Sequence, residues 1–150
     1  MSERIDQRAK RKRATGKGRS KASDPSKAFA VNAARLMRDD KCDDVVVIDV
    51  RGLSPVTDYI VIGTGTSDRQ IRSVLDHVVA FGSESGWEAF RVSGDDAATW
   101  LVADFVHVVA HVFEVNARAH YDLEMLWGEG KPVAWERPDQ KPRDRARLKG

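Results

Sequence analysis

Residues 43–78 read DDVVVIDVRGLSPVTDYIVIGTGTSDRQIRSVLDHV, and the fold is decided there. The run DVVVIDV (44–50) packs three valines and an isoleucine together without polar alternation, the pattern of a strand buried on both faces. Arg51-Gly52-Leu53-Ser54-Pro55 interrupts it with glycine and proline, and DYIVIG (58–63) is a second β-rich run. Ser67 and Gln70 then stand at capping-box spacing, with Asp68 in the first turn, where a helix dipole favours a carboxylate. Ile71, Val74, Leu75, Val78 and Phe81 follow at helical spacing, and Gly86 marks the stop. The stretch therefore predicts strand, strand, glycine loop, helix.

Upstream, Asp24-Pro25 is a capping residue followed by proline at the first helical position. Phe29, Ala33, Leu36 and Met37 then place one apolar face on a helix. Downstream, residues 87–92 alternate weakly as a short strand, and Ser93-Gly94-Asp95-Asp96 is a turn. TWLVADF (99–105) and VHVVAHVF (106–113) are two strands joined tightly around Phe105-Val106. A last helix is expected over about 116–127, stopping at Gly128, with a short extended piece over 131–135. This order predicts one α/β domain in three layers, a mixed sheet of about five strands flanked by helices. Strand order does not follow from the pattern.

Charge divides the chain into three. Residues 1–24 hold nine Lys/Arg against three acids and residues 136–150 hold six against three, so the arms carry +9 and residues 25–135 carry −7. The arms are nearly free of large apolar side chains and are expected to be disordered, leaving 25–135 as the folded domain. Basic arms suit a phosphate-rich partner, whereas the acidic body should repel nucleic acid and attract a basic protein. Cys42 is the only cysteine, which excludes an internal disulfide and a thiolate-rich metal site. It reads as a buried bystander at a helix end. No apolar run approaches the length of a membrane span and no secretory signal is present, so a cytoplasmic location is expected.

The glycine loop at 63–68, GTGTSD, is the most enzyme-like feature. A loop of this kind can aim backbone N–H groups at a phosphate, and the rival reading is a nucleotide-binding enzyme resembling nucleotidyl transferases. Asp68 stands where the third glycine of a dinucleotide fingerprint belongs, Gly-Lys-Ser/Thr is missing, and position 70 is Gln70 rather than a second carboxylate. A capped tight turn is the expectation, with no catalytic, cofactor or metal residue assigned. His107 and His111 would stand about 13 Å apart on one strand face, too far to share a metal, and read as packing or surface groups. On the preceding strand Trp100, Val102 and Asp104 share one face and Leu101, Ala103 and Phe105 the other. Trp100 with Asp104 is either a core residue beside a surface carboxylate or a recognition patch.

Three blocks carry a resemblance: residues 43–78, TWLVADFVHVVAHVF (99–113) and YDLEMLWG (121–128). Together they closely resemble the ribosomal silencing factor, or Iojap-like, family over residues 25–135. The resemblance implies a nucleotidyl-transferase-like shape without the catalytic carboxylates. It implies binding to ribosomal protein fourteen of the large ribosomal subunit, where the subunits meet, and repression of translation when nutrients are scarce. The family's recognition positions fall on Trp100, Leu101, Asp104, Phe105, Tyr121 and Glu124, and self-association into a homodimer is also implied. The chain departs from the family between the last two strands, where a Gly-Asp pair is replaced by Val106-His107 and Ala110 interrupts the valine run. Both basic arms lie outside the pattern.

Overall fold

The computed structural model describes residues 24–121 and 128–138. The expected basic arm over 1–24 apart from Asp24, the last helix beyond Tyr121, and the tail over 136–150 apart from its first three residues lie outside them. Asp24 caps α1 (Pro25–Asp39) by accepting from the Lys27 N–H at 3.1 Å, with Pro25 opening the helix. Then come β1 (Asp43–Asp49), β2 (Tyr59–Gly65), α2 (Asp68–Glu84), β3 (Arg91–Gly94), β4 (Trp100–Asp104), β5 (Val108–Glu114), α3 (Val115–Tyr121) and β6 (Lys131–Pro132). The strands form one six-stranded sheet in the order β3-β4-β5-β2-β1-β6. β2 runs parallel to β5 and every other neighbouring pair is antiparallel, so the sheet is mixed as expected. The sixth strand is the short extended piece after Gly128.

Burial follows strand alternation. Val45, Val47, Tyr59, Val61, Leu101, Ala103, Val108, Ala110 and Val112 turn to the face covered by α1 and α2 and form the main core. Ile48, Val50, Ile60, Ile62 and Phe113 form a smaller cluster on the other face, where Val46, Trp100 and Ala117 of α3 pack against it. β2 lies in mid-sheet and all seven of its residues are buried. Its glycines are there for contact: a Cβ on Gly63 would lie 2.9 Å from the Met37 sulfur, and one on Gly65 would lie 2.6 Å from Ile71 Cγ1. A larger residue at either would push a helix off the sheet.

One strand begins later than the sequence pattern indicates. The expected strand over 87–92 is observed as β3 at Arg91–Gly94, and the turn shifts to residues 95–98. Trp87 instead completes the cap of α2: its N–H donates to Gly82 O at 2.7 Å and the Gly86 N–H to Ser83 O at 3.3 Å, with Gly86 at φ +87°. The Trp87 ring stacks on Phe29 with centroids 5.0 Å apart. Its apolar character reports core docking of a cap, not strand alternation.

The C-terminal strap fastens α1. Trp135 is buried, donates from Nε1 to Val45 O at 3.0 Å, and accepts at its carbonyl from Arg35 Nε at 2.6 Å. Arg137 continues the contact with two hydrogen bonds to Asp39, at 2.9 and 3.0 Å.

Candidate functional site

Position 100 is fixed first through the main chain. Asp95 in the turn before β4 accepts from the Thr99 N–H at 2.7 Å and from the Trp100 N–H at 3.3 Å, and its carboxyl also takes the Thr99 hydroxyl. The Thr99 hydroxyl bond, aided by those backbone donors, holds the Asp95 carboxyl below the usual carboxylate range. Antiparallel pairing then puts Trp100 opposite Phe113 and Val102 opposite His111 on β5. The rings meet as a cross-strand cluster: Trp100 stacks on Phe113 at 5.1 Å between centroids and lies 6.0 Å from the His111 ring. Trp100 Nε1–H donates to His111 Nδ1 at 3.0 Å, which assigns the remaining imidazole proton to Nε2. Burial depresses the His111 pKa to about 4, so the ring is neutral near pH 7.

Asp104 ends the same row of side chains. Its Oδ1 accepts from the Val106 N–H at 2.8 Å, and among the described residues its Oδ2 accepts no hydrogen bond. Arg91 lies opposite it on β3. The turn beyond is tight: the His107 N–H donates to Phe105 O at 3.0 Å across Val106, whose φ is +77°. A shallow groove of about 290 Å³ runs beside Trp100, lined by Ser93, Gly94, Asp95, Thr99, Trp100 and Val102.

The six expected recognition residues divide. Trp100 and Asp104 share the face away from α1 and α2, and both are half-buried. Leu101 at 8% exposure and Phe105 at 0% turn into the main core, where Phe105 meets Phe29 edge-on at 4.9 Å. They lie beneath the face, not on it. Tyr121 ends α3, its side chain lies outside the described residues, and so does Glu124. α3 itself is tied to the sheet by Arg118, which donates to Thr64 Oγ1 at 2.7 Å. His111 and Phe113 are the members that reading along the sequence missed. Their signal was available once the turn at Phe105-Val106 had been placed, because folding the two strands about it brings position 111 across from 102.

The glycine loop is built differently. Gln70 N–H donates to Ser67 Oγ at 3.1 Å as expected of the cap, while Gln70 Oε1 accepts from the N–H of Thr66, one residue before the cap, at 2.8 Å. Gln70 Nε2 also reaches Asp40 O at 3.1 Å, so the loop is closed against the end of α1. Beside it Cys42 is buried, and burial together with Asp40 and Asp43 pushes its thiol up to about 12. The space its glycines leave is filled by Met37 and Ile71. Among the described residues no group of three His, Cys, Asp or Glu could hold a metal ion, and no helix is long and apolar enough to cross a membrane.

These features define a small α/β protein with an open mixed sheet, two long helices on one face and an aromatic–acidic patch on the other. The chain belongs to the ribosomal silencing factor family: the family model described as ribosomal silencing factor during starvation matches residues 23–149. A Bacillus subtilis ribosomal silencing factor is 35% identical over 102 residues, covering 68% of this chain and 86% of that one. The mouse protein named mitochondrial assembly of ribosomal large subunit protein 1 is 34% identical over 95 residues, covering 61% of this chain and 42% of its own. A crystal structure from Chromobacterium violaceum superimposes with a TM-score of 0.66 at 27% identity, covering 77% of this chain and 96% of that one. The family name describes a regulatory role on the ribosome rather than an enzymatic one.

Proposed function

We propose that this protein binds the large ribosomal subunit through ribosomal protein fourteen, keeps the small subunit from joining, and so represses translation in the cytoplasm under nutrient limitation. The observation that carries the reading is Trp100, a large side chain held half-buried by Phe113 and His111 on the face left open by α1 and α2. Such an amphipathic ring contributes much of an interface's affinity when a partner buries the rest of it. Asp104 supplies a carboxylate oxygen at the other end of the row for a charge-assisted bond from a basic partner. Leu101 and Phe105 act from below, holding β4 against the core, and Tyr121 and Glu124 join the recognition set on the family resemblance alone. The −7 charge of residues 25–135 favours a basic protein over bare RNA, while the arms add salt-sensitive contacts to ribosomal RNA.

Co-sedimentation with isolated subunits tests this. The protein should pellet with large subunits and block joining, and Trp100→Ala should weaken binding by about 2 kcal/mol or more, roughly thirtyfold. Equal binding to both subunits, or undisturbed joining, would remove the proposal.

A further inference from the structure

Stacking on Phe113 and His111 does not by itself choose between the two faces of the Trp100 ring. A ring lying on Phe113 and beside His111 keeps its plane if it is turned over about the Cβ–Cγ bond, since either face of the indole can stack. What changes on turning is the edge that carries Nε1–H. In the structure that edge faces His111, and the N–H is taken up by Nδ1 at 3.0 Å. Turning the ring over would move the donor away from Nδ1 and leave the acceptor of a mostly buried imidazole unpaired, which is costly. One orientation is thereby selected before any partner arrives.

We infer that His111 is a positioning residue for recognition: by taking the Trp100 indole N–H it fixes which edge of the ring the protein offers, and it makes that edge hydrocarbon. The partner surface that meets Trp100 is then an apolar pocket with no hydrogen-bond acceptor waiting for an indole donor. Its polar contacts fall at the Asp104 end of the row. This inference rests on the recognition reading given above for Trp100. Preorganisation of this kind lowers the ordering cost of binding, so its loss should read out as affinity rather than as folding.

The test separates orientation from both folding and recognition. In a ¹⁵N-labelled protein the indole resonance of Trp100, assigned by its loss in Trp100→Phe, should exchange slowly with water. His111→Phe keeps an aromatic ring but removes the acceptor; the resonance should move towards the solvent-exposed position, and affinity for isolated large subunits should fall about tenfold, the worth of one oriented hydrogen bond. His111→Asn can place an oxygen near the Nδ1 position and should restore slow exchange and most of the affinity. Fast exchange of the Trp100 indole in the parent protein overturns the inference. So does a His111→Phe variant that frees the indole yet binds like the parent, or a His111→Asn variant that recovers slow exchange without recovering affinity. Should His111→Phe fail to fold, the parent exchange rate and the Asn variant still decide. If Trp100→Ala binds as tightly as the parent, the recognition reading fails instead, whatever the exchange data show.

Discussion

β4 presents two faces that do different work with the same backbone. On one, Leu101, Ala103 and Phe105 enter the main core with no polar atom to satisfy. On the other, Trp100, Val102 and Asp104 stand half-buried, and Trp100 and Asp104 are each held by a hydrogen bond, from Trp100 to His111 and from Val106 to Asp104. A face built only for packing needs shape, whereas a face that must stay presentable to water and to a partner needs polar handles that fix its geometry. The recognition positions implied by family resemblance straddle both faces. Proximity along a strand therefore joins residues whose side chains diverge.

The sharpest way to break the comparison is to truncate one residue from each face. Phe105→Ala empties a fully buried site beneath Phe29 and should cost about 3–5 kcal/mol of stability, read by denaturant unfolding. Its affinity for large subunits, measured on the folded fraction, should stay near the parent's. Trp100→Ala should show the reverse weighting, with the larger loss in affinity. A Phe105→Ala protein that melts like the parent but no longer binds would move Phe105 onto the interface.

The second face should also show itself in acid. The folded-state pKa of His111 lies at about 4, below its ordinary value, because the buried ring resists charging. Between about pH 4 and 6.5 the unfolded chain therefore binds a proton that the folded chain does not. Stability from this group is complete above pH 6.5 and falls as pH drops towards 4, by about 3 kcal/mol over that window. Protonation of Nδ1 would also turn the acceptor of the Trp100 N–H into a donor, so both effects run in one direction. Denaturation midpoints for the parent and His111→Asn should keep a constant separation above about pH 6.5, and the parent should lose stability relative to the variant as pH falls towards 4. Parallel curves would show that the imidazole is solvated and that the aromatic cluster is looser than its distances state.

The same contrast explains what was legible in the sequence. α1, β1, β2 and α2 could be read because their apolar residues repeat at the period of the element and their caps are local, as with Ser67 and Gln70. Trp87 misled because an apolar residue after a helix can be the hydrophobic half of a cap, and no local rule separates that from a strand start. The parallel pairing of β2 with β5 joins segments some fifty residues apart and leaves no short-range mark. At the site, alternation along β4 separated Trp100 and Asp104 from their neighbours. His111 stayed hidden because its role comes from cross-strand register, and a histidine in an apolar strand carries no sign of what lies opposite.

The smallest effect expected sits in the turn between the two strands of the patch. Val106 has φ +77° and is spanned by a hydrogen bond from His107 N–H to Phe105 O, a γ-turn of the strained hand. A β-branched residue there is out of its allowed region, and the strain is worth about 1–3 kcal/mol. Glycine adopts the conformation freely, but it also loosens the unfolded chain by about 0.4–1 kcal/mol. Val106 is 40% exposed, so little apolar burial is lost with its side chain. The balance favours Val106→Gly by about 1 kcal/mol, a rise of some 4–8 °C in melting temperature for a domain of this size. Val106→Ala keeps the strained φ without the glycine and should show no such rise, which separates backbone strain from the lost side chain. Because the Asp104 carboxylate is held by the main-chain N–H of residue 106, which either variant keeps, Asp104 should keep its place and affinity should change less than about twofold in either variant. A gain from alanine equal to that from glycine would locate the cost in side-chain crowding instead. A loss of affinity without a loss of stability would mean that the strained turn holds Asp104 for its partner, and that the strain belongs to the recognition face rather than to the fold.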